Sequence, residues 1–309
     1  MNQELQADQT GLAKEIALLL VLSTLWGASY SFIKIGVQSI PPVTLIALRT
    51  LIASGLLILV LNWRGIALPK DATTWRRFFV QACLNSVVPF TLIAWAQQTT
   101  DATLATILNS TSPIFTFLLT ALVTRHEVVA GRRLFGVGAG FAGICLIVGV
   151  QALDGLGREL WAQLAIVAAT VCYAGAAIFG KGFKGLEPIV PAAGSMICGA
   201  SILVPASLVF ERPWHVTPSL ESILALLVLS VFSTALAFVI YFRLVQTLGS
   251  VGTTAQAYLR VPIGVAIGVA FLGERLSVTD LIGLACVVAG VAAMTLPMRR
   301  PTPKGKPGQ

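Results

Sequence analysis

The chain reads as an all-α polytopic membrane protein. It should have ten transmembrane helices, arranged as two inverted five-helix repeats with both termini in the cytoplasm. Three observations carry that reading. The 309 residues are 56% hydrophobic and only 11% charged, against about 25% charged in soluble domains. The apolar residues fall into ten runs separated by charge, Pro or Gly clusters, each near the roughly 20 residues that a bilayer crossing needs. The two halves repeat one another at an offset of 147 residues.

In chain order the runs are 15–36, 42–62, 76–97, 103–124, 132–151, 160–181, 190–210, 220–243, 252–273 and 279–297. They divide the chain into a cytoplasmic N-terminal segment 1–14, a first repeat 15–151, a second repeat 160–297, and a basic tail 298–309. The tail is rich in Pro and Gly and is expected to be disordered and cytoplasmic. The connections are too short for a soluble domain. Met1 to Lys14 is polar and mixed in charge, so no cleaved leader is expected.

Orientation follows from the basic residues. With the N-terminus inside, 15 of the 21 Lys and Arg fall on inside segments and helix ends and 4 on outside ones, leaving Arg49 and Arg260 within runs. Such a bias marks the cytoplasmic side. At the 147-residue offset Lys34 falls on Lys181, Pro41 on Pro188, Glu127 on Glu274, Gly136 on Gly283, Gly143 on Gly290, and Trp26 on Tyr173. Each half holds five runs, an odd number, so the second half must sit upside down. Inverted halves that rock about a central site are a transporter architecture.

The runs are not uniformly apolar, and the exceptions are candidate functional residues, because polar groups in a membrane need a partner or water. In the first run Trp26, Tyr30 and Lys34 are four apart and share one helical face. In the second, Arg49 lies about eight residues in. In the third, Asn85 precedes Pro89 by four, with Phe90 and Trp95 beyond. In the fourth, Asn109 precedes Pro113 by four. A proline removes a backbone hydrogen bond and kinks a helix, and a nearby amide can satisfy the freed groups or bind a ligand. The sixth run carries Tyr173, and the eighth Phe238 and Tyr241. The ninth carries Gln256, Tyr258, Arg260 and Pro262. Arg260 lies roughly 12 Å into its span at about 1.5 Å per residue, too deep for easy snorkelling. Gly136-xxx-Gly140 and Gly264-xxx-Gly268 are close-packing motifs. Glu127 and Glu274 sit at span ends, where they cap or lock the ends or carry protons. Each candidate has a structural alternative. The aromatics pack, the amides form interhelical bonds worth about 0.6 kcal/mol, the arginines meet carbonyls, and Lys34 snorkels.

Two five-span halves, Leu25-Trp26-Gly27 in span one, Arg49 in span two, Pro113 in span four and Gly273-Glu274-Arg275 ending span nine resemble the drug/metabolite transporter superfamily, most closely its ten-span EamA-type bacterial exporters. The resemblance covers roughly 15–297. One departure is that Arg260 stands where the offset puts the counterpart of Pro113, with Pro262 two residues on. The resemblance implies an inner-membrane exporter of small metabolites, neutral or aromatic amino acids first, with proton-coupled efflux of drugs or other metabolites as the alternative.

Other classes find little support. The five cysteines, Cys83, Cys145, Cys172, Cys198 and Cys286, lie inside runs with no CxxC spacing, so no metal site, cofactor or disulfide framework is expected. His126 and His215 lie between runs, without a nucleophile and acid beside them. No Walker motif is present. The basic excess sits between runs and points to a bilayer rather than nucleic acid. A membrane-embedded enzyme or assembly factor is the remaining class. No Asp or Glu falls in mid-run, so facilitated export is expected, and the protein is taken as a monomer. The expected partners are a small-molecule substrate and lipid. The substrate-binding residues are taken as Trp26, Asn85, Trp95, Asn109, Tyr173, Tyr258 and Arg260, and the gate or hinge residues as Pro113, Pro262, Lys34 and Arg49.

Overall fold

The structure, a computed structural model, describes residues 2–124, 135–136, 138–143, 146, 158–248, 253 and 256–295. It is all-helical among these residues. Seven helices in them are long and apolar enough to cross a membrane, and two shorter apolar helices follow at Leu259–Leu272 and Val278–Gly290. The chain is therefore a multi-pass membrane protein. The fifth predicted run lies largely outside the described residues, as do Glu127 and the tail 298–309.

The elements are α1 (Asn2–Gly36), α2 (Pro42–Trp63), α3 (Ala72–Ala82), α4 (Val88–Ala96), α5 (Ala102–Asn109) and α6 (Ser112–Thr124) in the first half. In the second half they are α7 (Arg158–Gly180), α8 (Ile189–Phe210), α9 (Leu220–Ser230), α10 (Ala237–Thr247), α11 (Gln256–Leu272) and α12 (Val278–Thr295). The first helix begins at Asn2, not near residue 15. Its polar first turns are mostly good helix formers without proline.

Three predicted continuous helices are interrupted. A π-helical segment, Cys83–Val87, joins α3 to α4, and another, Val231–Leu236, joins α9 to α10. The fourth span breaks between α5 and α6, at Ser110–Thr111. Pro113 explains the break, since it cannot donate to the Asn109 carbonyl one turn back but is well suited to a helical first turn. The two π segments start 148 residues apart and end 149 apart, within two residues of the repeat offset.

Close crossings hold the helices in register. α1 runs along α11, α2 along α8, and α4 along α7. At the first crossing, a methyl added to Gly27 would lie 3.0 Å from the Arg260 carbonyl, and one on Gly264 3.1 Å from the Gly27 carbonyl. Ser23 Oγ also donates to the Gln256 carbonyl (3.2 Å). The absence of side chains on these glycines is what brings Trp26 and Arg260 into one neighbourhood. A methyl on Gly143 would lie 2.7 Å from the Gly283 carbonyl, and one on Gly290 2.6 Å from the Gly136 carbonyl. The glycines that matched in the repeat thus meet crosswise.

The end of the bundle that holds Lys34 is laced together. Lys34 Nζ donates to the Thr100 carbonyl (3.0 Å) and lies 3.8 Å from Asp101. Gly273, with φ +66°, turns the chain after α11. The Glu274 carboxylate then accepts the Ala102 and Thr103 N–H groups (2.8 and 2.9 Å) at the start of α5. Glu211 does the same for α2, accepting from Val43 and Thr44 N–H (3.0 and 2.6 Å). Carboxylates are favoured there because the first N–H groups of a helix lack partners. At the opposite end Glu15 accepts from Arg243 (2.7 Å) and Thr247 (3.0 Å), tying α1 to α10.

Candidate functional site

Between these ends lies a cavity enclosing about 770 Å³ of space outside the protein's atoms, its mouth included. α1 contributes Trp26, Ser29, Tyr30 and Ile33, and α2 contributes Arg49. The third span gives Asn85, Phe90 and Ile93, and α6 gives Ser112 and Thr116. Tyr173 and Ala177 come from α7, Phe238, Tyr241 and Val245 from α10, and Gln256 and Arg260 from α11, with Thr253 just before it. Ala177, Val245 and Thr253 carry the lining toward the Glu15 end. At the other end the wall stops at Ile33 and Ile93, beneath the laced Lys34 end.

The walls are largely aromatic. The Trp26 ring tilts against Tyr241 at 5.4 Å and meets Phe238 edge-on at 6.3 Å. Phe90 stands edge-on to both Phe238 (6.2 Å) and Tyr173 (6.5 Å). Trp26 Nε1 donates to the Ser233 carbonyl (3.2 Å), inside the second π segment. A π turn leaves backbone carbonyls without their usual partners, and within a membrane these must be satisfied from elsewhere in the protein.

Arg49 answers the same need. It is only 2% exposed. Its Nε donates to Thr234 Oγ1 (2.6 Å) and one terminal nitrogen reaches the Ser233 carbonyl (3.4 Å). The guanidinium lies 4.0 Å from the centre of the Phe90 ring, where the ring face attracts a cation. Its other terminal nitrogen is buried with no partner among the described residues.

Arg260, 5% exposed, is built on a second backbone defect. Its terminal nitrogen donates to the Asn109 carbonyl (3.1 Å), the group left open by Pro113. Ser112 Oγ donates to the same carbonyl (3.1 Å). The guanidinium stands 5.9 Å from the centre of the Tyr30 ring, and its Nε is buried without a partner among the described residues.

Of the predicted substrate residues, the structure gathers Trp26, Asn85, Tyr173 and Arg260 onto the cavity wall. Asn109 is fully buried behind it, its side-chain nitrogen 3.4 Å from Thr170 Oγ1, and its carbonyl positions Arg260. Trp95 is 41% exposed on the outside of α4 and does not line the cavity. The Tyr258 side chain lies outside the described residues. Of the gate or hinge candidates, Arg49 lines the cavity, Pro113 opens the break in the fourth span, Pro262 sits on the exposed side of α11, and Lys34 ties the bundle end. Sequence reasoning left the Ser233-Thr234 pair unremarked. The repeat offset places Ser233 on Ser86 of the first π segment, and that match is the available signal. Among the described residues no three His, Cys, Asp or Glu cluster as a metal site would need.

The EamA-like transporter family profile matches this chain twice, over residues 13–149 and 160–296. The chain belongs to the EamA-like transporter family. It is accordingly a membrane transporter. Among relatives, the uncharacterized inner membrane transporter YedA of Escherichia coli K12 is 26% identical over 280 residues, covering 90% of this chain and 89% of its own length. An uncharacterized transporter of Archaeoglobus fulgidus is 30% identical over 287 residues, with 90% and 96% covered. A protein of Salmonella typhimurium named as a probable amino-acid metabolite efflux pump is 28% identical over 292 residues, with 90% and 93% covered. A solved crystal structure superposes with a TM-score of 0.66 at 20% identity, over 93% of this chain and 99% of its own, which shows a shared fold.

Proposed function

We propose that this EamA-family transporter exports small carboxylate-bearing metabolites across the inner membrane, with neutral and aromatic amino acids the first candidates. The observation that carries the reading is Arg260. It is a buried guanidinium on the wall of an aromatic cavity, and among the described residues its one hydrogen-bond partner is the Asn109 carbonyl. Such a cation in a membrane needs water, a partner or an anionic ligand. The aromatic faces of Trp26 and Tyr173 hold a flat side chain, while Asn85 orients the polar end. The Salmonella relative, named as an efflux pump for amino-acid metabolites, supports the substrate class. YedA, named as an inner membrane transporter, supports the location.

The transport cycle is alternating access between two inverted halves, 15–151 and 160–297, with both termini cytoplasmic. Three observations support it: the family profile matches each half, the repeat-related glycines meet crosswise, and the Lys and Arg bias is 15 to 4. Transport is facilitative, since among the described residues no Asp or Glu lines the cavity to relay protons. Proteoliposomes loaded with radiolabelled neutral and aromatic amino acids test the reading. Protein-dependent efflux of at least one is expected, insensitive to collapse of a proton gradient. Arg260→Ala should slow it about ten-fold or more, the worth of a charged hydrogen bond. Absence of flux for every compound, or full flux in Arg260→Ala, would sink the assignment.

A further inference from the structure

The cavity holds two cations and, among the described residues, no anion. Arg49 and Arg260 both line it, both are at least nine-tenths buried, and neither touches a carboxylate among those residues. A guanidinium has five N–H donors, and the protein occupies only part of each set. The orphaned buried atoms of the lining are Arg49 Nη1, Arg260 Nε, Asn85 Nδ2 and Gln256 Oε1. Three are nitrogens that donate, two of them on charged groups, and one is a neutral acceptor. The other lining polar groups are hydroxyls, neutral amide atoms and the Trp26 indole N–H, none of which can neutralise charge. Two uncompensated guanidiniums in low dielectric repel one another and lose hydration. An acceptor-rich anion between them relieves both costs.

A zwitterionic amino acid is a poor answer to that field. Its carboxylate is welcome, but its ammonium would enter a space already carrying two positive charges, with only neutral groups and ring faces to receive it. We propose that the preferred substrates are net-anionic carboxylates with a flat apolar body and no ammonium group, such as aryl 2-oxo acids. They would be held by Arg49 and Arg260 together. This rests on the cavity being the transport site, and it reassigns Arg49 from hinge to substrate-binding residue.

The test compares ligands that share a benzyl group and differ in net charge. Purified full-length protein in lipid nanodiscs is titrated calorimetrically with phenylpyruvate, phenylalanine and phenethylamine. Phenylpyruvate should bind roughly ten-fold or more tighter than phenylalanine, as expected for a charged hydrogen bond gained without an opposing ammonium. Phenethylamine should not bind measurably. Arg49→Gln should bring the phenylpyruvate-to-phenylalanine ratio near one. Arg49→Lys, which keeps the charge, should retain the preference even if Arg49→Gln fails to fold. Equal or tighter binding of phenylalanine overturns the anion preference while leaving amino-acid export intact. Binding of none of the three overturns both readings for aryl carboxylates.

Discussion

Arg260 and Arg49 are each anchored to a place where a helix fails to satisfy its own backbone. Arg260 takes the Asn109 carbonyl that Pro113 leaves open, and Arg49 takes the Ser233 carbonyl and the Thr234 hydroxyl of a π turn. Each defect fixes a long, flexible side chain in one direction on the cavity wall. Thr234→Ala removes the short bond to Arg49 Nε. It should lower stability by about 2 kcal/mol, the scale of a hydrogen bond to a charged group. Chemical denaturation of purified protein in detergent checks this, and an unchanged midpoint would show that Arg49 is not held there. Asp101, just outside the membrane spans, is a second residue with a defined consequence. Burial raises its pKa above the usual aspartate value, and the charges of Glu274, Asp280 and Glu159 raise it further, while Lys34 opposes them. A folded-state pKa above the unfolded one means that the folded state binds more protons between the two. Stability therefore falls as pH rises through that window. Thermal unfolding followed upward in pH from the ordinary aspartate pKa of about 3.9 should show this slope in the wild type and a flatter profile in Asp101→Asn. Identical profiles would remove Asp101 as its source.

Among the helices, glycine crossings and π turns decide which residues share a cavity. The crosswise meeting of Gly143 with Gly283 and of Gly290 with Gly136 leaves no room for side chains. Gly283→Leu should destabilise by about 1–3 kcal/mol, the scale of overpacking a filled interface, as read from the thermal unfolding midpoint. A wild-type midpoint would mean that this crossing is not close-packed in the membrane. At this scale much was legible from the sequence. Seven of the apolar runs coincide with helices long enough to cross a membrane, Pro113 marked a break, and the small residues marked crossings. The π turns were not legible. A π turn keeps a helical composition and differs only by one extra residue per turn, so no residue pattern in Cys83–Val87 or Val231–Leu236 announces it.

At the scale of the whole bundle, the Lys34 end is tied by polar contacts. Lys34 holds Thr100 and Asp101, Glu274 caps α5, and Glu211 caps α2, all between elements distant in sequence. These contacts are polar and sit where alternating access would have to open. Glu274→Gln keeps the shape but removes the charge that favours the α5 N-terminus. In a background without other reactive cysteines, a cysteine at Ile33 should be labelled faster by a membrane-impermeant maleimide in Glu274→Gln than in the wild type. An equal rate would show that Glu274 does not help close this end.

The sequence by itself determined that the chain lives in a membrane, where most of its described membrane spans lie, and which polar residues are buried against expectation. Those are consequences of composition and of the distance a bilayer imposes. It singled out Trp26, Asn85, Tyr173 and Arg260, because a polar or amphipathic group deep in an apolar run needs a partner wherever the helix goes. Only the tertiary structure decided that Arg49 faces the same cavity as Arg260, that Asn109 acts through its carbonyl, and that Trp95 points outward. A span that is apolar all round has no periodicity to define its inner face. Which side of such a helix meets its neighbours is set by glycines, π turns and caps on other segments of the chain.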